Sequence, residues 1–197
     1  SLFGMGLNYS MTGVFYNKAL AEQIGMTEPP TTVAELDALL AKAKEAGIQP
    51  IMQWNKGTAG LAFPLQNLMG AYGPPEPIND WIFQKDGATI NTPDALKAAE
   101  HLDGWIKAGY FPTDANAIEY FQMMSRFIGG EGLFMFNGDW ESGNLDTNAK
   151  DKFGFFIMPS LEEGGRHASM SSPLTFGIGA KAAHAECAAF FLDWVAR

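Results

Sequence analysis

Apolar side chains recur along the chain with spacings that predict an alternation of helices and strands. From Val33 to Ala43 they recur at helical spacing, with a Thr-x-x-Glu capping box at residues 32–35 before them and Gly47 after them. A short apolar stretch at residues 48–52 then predicts a buried strand. The succession of helix, glycine and short strand is typical of an α/β fold.

The remaining elements are predicted from the same periodicities and from the glycines and prolines that bound them. Thr92 and Pro93 predict a helix N-terminus, and Gly109 ends that helix. We further expect an extended segment at residues 7–17, strands at 133–136, 153–157 and 174–178, helices at 18–24, 61–69, 115–128 and 183–196, and a proline-rich loop region at 73–91.

The composition is that of a folded globular protein with an acidic surface. The 197 residues are 47% apolar and 18% charged, and 22 acidic against 13 basic side chains leave a net charge of −9. This mix argues against a disordered chain, and the negative charge argues against a nucleic-acid or anionic-membrane partner. Because the chain begins at Ser1 and ends within an apolar periodic stretch, we interpret it as a fragment of a longer protein.

The sequence contains no recognisable motif for catalysis or for metal and cofactor binding. The single cysteine, Cys187, allows neither an intrachain disulfide nor a CxxC zinc site, and it is predicted to be a buried, inert thiol. Three histidines without a metal-ligand neighbour are predicted to be surface or capping residues: His101, His167 and His184. No serine-nucleophile elbow or Gly-Lys-Ser/Thr phosphate loop occurs. We therefore expect no catalytic residue, no metal and no cofactor.

Asp139 and Glu141 flank Trp140 directly after a predicted strand, and their carboxylates have three open interpretations. They could stabilise the N-terminus of a following helix, hydrogen-bond a ligand, or act as a catalytic pair. A glycosidase needs two carboxylates on opposite sides of the scissile bond, whereas side chains at positions i and i+2 of a helix start diverge. The spacing therefore favours helix-end stabilisation.

Two tryptophans provide the positive functional signal. Trp54 and Trp140 each follow a predicted strand, at the edge where α/β sheets place ligand sites, and both have polar neighbours. A flat aromatic ring beside hydrogen-bonding groups suits a sugar, whose ring face is apolar and whose rim carries hydroxyls. From the sequence alone, both rings could equally belong to the core. The other tryptophans are assigned to packing: Trp81, Trp105 and Trp194.

Five segments, taken in order, resemble the bacterial extracellular solute-binding proteins of sugar-importing ABC transporters, the family that includes the maltose-binding proteins. They are Tyr9-Ser10-Met11-Thr12 with Val14-Phe15-Tyr16-Asn17-Lys18, Pro30-Thr31-Thr32 with Glu35-Leu36, Gly132-Leu133-Phe134-Met135-Phe136-Asn137-Gly138-Asp139-Trp140, Phe155-Phe156-Ile157-Met158-Pro159, and Phe176-Gly177-Ile178. The resemblance covers nearly the whole chain. The order of the segments is specific for the superfamily and not for one substrate.

This resemblance implies a lobe of the type II periplasmic-binding-protein fold, an α/β structure with a mixed sheet flanked by helices, taken from a two-lobed protein that closes on its ligand by hinge motion. Residues 1–18 would cross into the C-terminal lobe, residues 19–169 would form it, and residues 170–197 would return toward a missing N-terminal lobe. The implied partners are a small-molecule sugar and the permease subunits of an ABC transporter. The implied location is periplasmic or extracellular, with membrane contact only through the transporter or through a lipid anchor outside this chain.

The resemblance also implies ligand contacts beside the two crossovers and after the strands that precede the tryptophans. Together with Asp139, the polar neighbour of Trp140, the predicted contacts are Ser10, Thr12, Trp54, Asn55, Asp139, Trp140, Ser171 and Ser172. Ser10 stands where the maltose-binding members carry a carboxylate, which argues against maltose itself. The implied function is capture and delivery of a carbohydrate without chemistry on it. The alternatives are the same fold binding a polyamine, glycerol phosphate or peptide, and a carbohydrate hydrolase.

Overall fold

The computed structural model describes residues 5–57, 59–167 and 169–196 and shows an α/β fold. The strands are β1 (Met5–Asn17), β2 (Phe134–Gly138), β3 (Phe153–Phe156) and β4 (Ser171–Phe176). The helices are α1 (Lys18–Gln23), α2 (Val33–Glu45), α3 (Ala62–Tyr72), α4 (Glu76–Ile82), α5 (Pro93–Lys107), α6 (Tyr120–Ile128), α7 (Ser142–Ala149) and α8 (Ala185–Val195), with 3-10 turns at Ala115–Ala117 and Asp139–Glu141. The chain divides into a larger compact unit, residues 12–170, and a smaller one, residues 5–11 with 171–196.

β1 is the central strand of the sheet in the larger unit. Its residues 12–17 pair antiparallel with β2 on one side and with β3 on the other, so that Val14 lies opposite both Phe136 and Phe156. Ile51 pairs with Phe134 of β2 through a parallel bridge, so the sheet has both antiparallel and parallel pairings. The predicted α/β fold with a mixed sheet is therefore confirmed.

Alternate side chains of this sheet point into two hydrophobic cores, as the two-residue repeat of a strand requires. Val14, Phe134 and Phe136 lie in the core that α2, α3 and α5 cover. Phe15 and Met135 lie in the opposite core, which α6 and α7 cover. Because both faces are covered by helices, the strands have continuous apolar sequences rather than alternating ones.

Two glycines fix how β1 and β3 lie against each other. A Cβ atom at Gly154 would lie 2.3 Å from the ring of Tyr16, and a Cβ atom at Gly13 would lie 2.5 Å from the ring of Phe155. Each aromatic ring thus occupies the space that a side chain would fill on the neighbouring strand, an arrangement known to stabilise glycines in sheets. A one-residue shift of the pairing would break both contacts.

Local capping signals predicted two helix starts correctly. The Thr32 hydroxyl accepts the backbone N–H of Glu35 at 3.2 Å, while the Glu35 carboxylate accepts the backbone N–H groups of Thr31 and Thr32 at 2.7 and 3.3 Å. This capping box begins α2. The hydrogen bonds, chiefly the one from the Thr31 backbone, lower the pKa of the Glu35 carboxyl. At α5, Thr92 caps the helix and Pro93 occupies its first position, as predicted.

Three predicted elements differ from those in the structure. Residues 73–91 contain α4, because Pro77 lies in the first helical turn, where a proline interrupts no hydrogen bond. The predicted helix at 115–128 is divided into a 3-10 turn and α6. The predicted strand at 48–52 is reduced to the bridge at Ile51, since Pro50 has no backbone N–H with which to continue the ladder.

The smaller unit pairs residues 5–11 antiparallel with β4, with a shift of register between Gly6 and Asn8. In α8, no side chain that the structure describes is buried. The predictions that Trp194 packs and that Cys187 is buried are therefore wrong for this chain, since Trp194 is 67% exposed and the Cys187 thiol is exposed as well. An apolar helical sequence did not by itself ensure burial here.

Two further predictions about aromatic residues in the larger unit had opposite outcomes. Trp105 is a core residue as predicted, whereas Trp81 on α4 is 46% exposed. His101 is neither a surface nor a capping residue: its ring lies between Asp37, at 3.0 Å from Nε2 to Oδ1, and Tyr72, at 2.8 Å from Nδ1 to Oη.

Within residues 5–57, 59–167 and 169–196, no helix combines the length and the apolar content needed to cross a membrane.

Candidate functional site

Four aromatic side chains form a cluster in the larger unit, and Trp140 is the one most exposed to solvent. This aromatic cluster consists of Trp54, Phe63, Tyr120 and Trp140. The ring of Trp54 lies edge-on to Tyr120, with centroids 4.9 Å apart, and is tilted against Phe63 at 5.3 Å. Phe63 lies edge-on to Trp140 at 6.0 Å. Trp140 is 49% exposed and Trp54 only 5%, with Phe63 and Tyr120 half-buried between these extremes, so Trp140 is the most accessible ring of the cluster.

The placement of Trp140 follows from how β2 ends. The strand stops at Gly138, and the 3-10 turn Asp139–Glu141 follows immediately. The indole ring folds back over Gly138, where a Cβ atom would lie 1.9 Å from Cζ3 and 2.2 Å from Cε3 of Trp140. The φ angle of Gly138 is −97°, which any residue can adopt. The close approach of the ring, and not the backbone conformation, therefore requires glycine at this position.

The hydroxyl of Tyr120 joins the aromatic cluster to this acidic turn. It accepts the indole N–H of Trp140 at 3.0 Å and the Nδ2 amide of Asn137 at 3.3 Å, and it donates to the Glu141 carboxylate. A tyrosine hydroxyl has one proton and two lone pairs, so all of its hydrogen-bonding capacity is used. Burial, followed by the bond to Glu141, raises the pKa of Tyr120 to about 12. The hydroxyl therefore remains a donor at neutral pH.

The two carboxylates of the turn have different surroundings. Glu141 is 9% exposed, and its second oxygen accepts the Nδ2 amide of Asn144 at 2.8 Å, so that both oxygens have donors within the protein. Asp139 begins the same turn and is half-buried. A carboxylate held in this way acts as a structural anchor at a helix start. Of the three interpretations from the sequence, helix-end stabilisation fits Glu141 best.

Two of the predicted ligand contacts are buried. The ring of Trp54 contacts Phe63 and Tyr120, and 5% of the residue's surface is exposed. Thr12 is 1% exposed; its hydroxyl accepts the Nδ2 amide of Asn67 at 3.2 Å and donates to the backbone carbonyl of Met170 at 3.3 Å. Both side chains have contacts within the protein, and the ligand contacts of Trp54 and Thr12 stay predictions.

Of the other predicted contacts, Asn55 and Ser10 are half-buried and Ser171 is exposed. Asn55 directly follows Trp54, is half-buried, and donates from Nδ2 to a neighbouring asparagine side chain at 2.7 Å. In the smaller unit, the Oγ of Ser171 donates to the backbone carbonyl of Ser10 at 3.1 Å, and Ser172 lies opposite Ser10 in the pairing of β1 with β4. The structure thus groups Trp140 with Asp139, and Ser10 with the two serines of β4.

Two basic side chains that could contribute to binding a phosphorylated ligand, Arg126 and Lys56, are paired with carboxylates. Arg126 lies 2.7 Å from Glu131 and 3.1 Å from Asp114, measured between charged nitrogens and carboxylate oxygens. Lys56 lies 2.7 Å from Glu119. Binding a phosphate at either side chain would require that cation to exchange its carboxylate partner.

A groove of about 500 Å³ lies at the C-terminal end of β1, beside Asn17 and Lys18, and none of the predicted ligand contacts lines it. Its lining includes Asn17, Lys18, Glu22 and Lys152. These mixed charges on a surface groove do not select one class of ligand, and the aromatic cluster remains the better candidate site. In the part of the chain that the structure describes, no group of three or more His, Cys, Asp and Glu side chains is placed to hold a metal ion.

Reasoning from the sequence missed Phe63 and Tyr120. Phe63 lies in α3, an apolar segment that was predicted to be a helix, and Tyr120 is the first residue of α6. Their only signal in the sequence was membership of these helices. Nothing local to either residue indicates that its ring meets Trp140, because those contacts arise from the packing of helices that are distant along the chain.

The mixed sheet with helices on both its faces agrees with the α/β lobe that the sequence predicted. The model of the family described as bacterial extracellular solute-binding protein matches residues 3–197. The chain belongs to this family.

Solved structures and a curated relative agree with this assignment. A chitin oligosaccharide binding protein superposes with a TM-score of 0.79 at 23% identity, covering 95% of this chain and 48% of that one. A sugar transporter protein from Bacillus licheniformis in complex with stachyose superposes with a TM-score of 0.78 at 19% identity, covering 98% and 52%. At such identities the two structures show the fold alone.

The curated relative is a protein of Mesorhizobium japonicum described as a "probable sugar-binding periplasmic protein". It is 25% identical over 146 residues, which are 72% of this chain and 33% of the relative. The chain therefore spans about a third of this relative's length and about half the length of the two solved structures.

Proposed function

We propose that this chain is part of the carbohydrate-binding subunit of an ABC importer. The observation that carries the proposal is Trp140, whose half-exposed ring is held at the end of β2 by Gly138, Phe63 and Tyr120. The face of a sugar ring is apolar, so a fixed and accessible aromatic ring is a surface on which it can stack. The relatives, among them a protein described as a "probable sugar-binding periplasmic protein" and a stachyose complex, support carbohydrate as the class of ligand.

The proposed ligand contacts of the larger unit are Trp140, Asp139 and Asn55. Trp140 supplies the stacking surface, while a carboxylate and an amide supply hydrogen bonds to sugar hydroxyls. In the smaller unit the contacts predicted from the sequence remain those of Ser10, Ser171 and Ser172.

The architecture of the whole protein belongs to the same proposal. Since the chain covers about half the length of its structural neighbours, we propose a two-lobed protein that closes on its ligand. Residues 19–169 would form the C-terminal lobe, with crossovers at 1–18 and 170–197. The protein would work in the periplasm or outside the cell, free or lipid-anchored, and would deliver its sugar to the permease subunits without acting on it chemically.

Two observations weigh against the alternatives. A phosphorylated solute would need free cations, and both candidate cations are paired with carboxylates. A cationic solute or a hydrolase would use the acidic pair after β2, but the Glu141 carboxylate is already bonded to Tyr120 and Asn144. A neutral sugar needs neither a free cation nor an opposed pair of acids.

The proposal is tested with the full-length protein in a thermal-shift and calorimetric panel of four sugars. Stachyose and a chitin oligosaccharide are those named for the two structural neighbours, and raffinose and maltose extend the panel. A ligand in hundredfold excess over Kd should stabilise the protein by about 2.7 kcal/mol. Each sugar should be recovered intact. Absence of binding across the panel would overturn the proposal, and so would sugar hydrolysis that disappears in an Asp139→Asn variant.

The first prediction is that Trp140→Ala weakens sugar binding by about 1–3 kcal/mol while the protein stays folded, because the stacking surface is removed from a residue that is not in the core. Trp81→Ala is the matched control, since Trp81 is exposed to a similar extent, 46% against 49%, and is not a member of the aromatic cluster. Calorimetric titration should show the loss for Trp140→Ala only. Equal affinities for wild type and Trp140→Ala would remove the observation on which the proposal depends.

A further inference from the structure

The ring of Trp140 has few contacts that determine its orientation. It lies on a short 3-10 turn and is half exposed, with Gly138 beneath it and the edge of Phe63 beside it. The contact with Gly138 is apolar and without direction, and the edge-on contact with Phe63 has only a weak preference for one ring orientation. Neither contact fixes the angle of the ring as closely as a hydrogen bond does. The directional contact is the hydrogen bond of 3.0 Å from its indole N–H to the hydroxyl of Tyr120.

The hydroxyl at the other end of this bond is held from several sides. The ring of Tyr120 lies edge-on to Trp54 at 4.9 Å and to Phe121 at 5.4 Å. Its hydroxyl donates to Glu141 and accepts from Asn137 at 3.3 Å. Glu141 is itself fixed by the Nδ2 amide of Asn144 at 2.8 Å. The acceptor that Trp140 uses is therefore at a defined position.

We propose that Tyr120 is a positioning residue for the sugar site: by accepting the indole N–H of Trp140, it sets the orientation in which that ring meets the ligand. This inference rests on the proposed function and adds to it the residue that prepares the stacking surface before the ligand arrives. A preorganised ring loses less conformational freedom on binding, and affinity rises accordingly.

The same geometry distinguishes positioning from direct contact with the ligand. The single proton of the Tyr120 hydroxyl goes to Glu141, and its two lone pairs accept from Trp140 and Asn137. The hydroxyl thus has no capacity left for a sugar hydroxyl unless one of these bonds breaks. Removing the hydroxyl should therefore affect binding only while Trp140 has an indole N–H to donate.

A double-mutant cycle in the full-length protein tests this dependence, with the four sugars of the panel as probes. Tyr120→Phe keeps the ring that packs on Trp54 and removes the hydroxyl, and we expect it to weaken binding about three- to tenfold, the range of one hydrogen bond. In a Trp140→Phe background, which lacks the indole N–H, the same substitution should cause no further loss. Tyr72→Phe is the matched control: it removes a hydroxyl bonded to His101, outside the aromatic cluster, and should leave affinity unchanged.

A second measurement needs no sugar. In the wild-type protein, the indole N–H of Trp140, identified by its absence from the nuclear magnetic resonance spectrum of Trp140→Phe, should exchange with solvent more slowly than that of the similarly exposed Trp81. In Tyr120→Phe its resonance should shift and its exchange should become faster. A structural role for Tyr120 elsewhere in the fold would not move this signal.

The possible outcomes separate the positioning role from the proposed function. If wild type binds sugar and Tyr120→Phe binds it equally well, or if the loss is the same in both backgrounds, positioning is refuted and sugar binding stands. If the Trp140 indole N–H exchanges as fast as that of Trp81, positioning is also refuted. If wild type binds none of the sugars, the proposed function fails and positioning for a sugar fails with it.

Discussion

The substitution Gly138→Ala tests how the end of β2 presents Trp140. Glycine at this position leaves room for the indole ring, since a Cβ atom would lie 1.9 Å from Cζ3 and 2.2 Å from Cε3 of Trp140. Carbon atoms in contact are separated by about 3.5–4.0 Å, so the ring would have to move by roughly 1.5 Å or more. Because Trp140 is half exposed, the ring can move toward solvent while the strand stays in place.

The structure predicts a clear loss of affinity and little change in stability. A displacement of this size lengthens the 3.0 Å bond from the Trp140 indole to Tyr120 beyond hydrogen-bonding distance. We expect sugar binding to weaken by about 1–3 kcal/mol, as for a lost stacking residue. Stability should change little, because the loss of one hydrogen bond, worth about 0.5–1.5 kcal/mol, is partly offset by the restriction that alanine places on the unfolded chain, worth about 0.4–1 kcal/mol at a φ angle of −97° that alanine adopts readily.

Calorimetric titration and thermal unfolding of the full-length protein measure the two effects separately. Gly143→Ala, in α7, is the matched control, since a Cβ atom there meets nothing within 4 Å. It should raise stability by about 0.5–1 kcal/mol and leave sugar affinity unchanged. The reasoning would be refuted if Gly138→Ala bound sugar as the wild type does. A marked loss of stability would contradict it as well, by showing that the strand and not the ring had to move.

Two further predictions concern pH. The Glu35 carboxyl has a lowered pKa because the Thr31 backbone, the Thr31 hydroxyl and the Thr32 backbone donate hydrogen bonds to it. The contribution of this carboxylate to stability is therefore complete above the unfolded pKa of about 4.3. It is lost as the pH falls through the lower pKa of the folded state. Glu35→Ala should therefore lower Tm at pH 7 and lower it much less at about pH 2–3; an equal decrease at both would contradict the capping-box account. Tyr120, with its pKa raised to about 12 chiefly by burial, favours folding fully below the unfolded tyrosine pKa of about 10 and progressively less above it. A phenolate absorbance titration should lose its last step in Tyr120→Phe and retain it in Tyr72→Phe, although the pKa of Tyr72 is raised too.

Features that depend on neighbouring residues were predictable from the sequence. The capping box at Thr32 and Glu35 and the cap at Thr92 involve residues three or four apart, and the structure forms them as predicted. The prolines of residues 73–91 were misinterpreted because proline has two local meanings. It ends a helix when it lies in the interior, but it is well accommodated in the first turn, and Pro77 lies in the first turn of α4.

Burial depends on distant parts of the chain and was predicted less well. Trp54 and Trp140 both follow β-prone segments and both have polar neighbours, so the sequence does not separate them. In the structure, Phe63 from α3 and Tyr120 from α6 cover Trp54, whereas Trp140 keeps half of its surface exposed. Which tryptophan is covered is decided by the helices that pack across the end of the sheet, and no pattern around residue 54 indicates them.

Residues 138–140, Gly-Asp-Trp, show why part of the site could be inferred from the sequence and part could not. The spacing is local: a strand ends on Gly138, and a ring two residues later can fold back only because Gly138 has no side chain. This places a large aromatic ring at the edge of the sheet whatever surrounds it. The angle of the ring is set by the hydroxyl of Tyr120, twenty positions earlier in the chain and on another helix. A motif of this kind therefore predicts that a stacking surface exists, while the geometry that selects a ligand depends on residues that the motif does not contain.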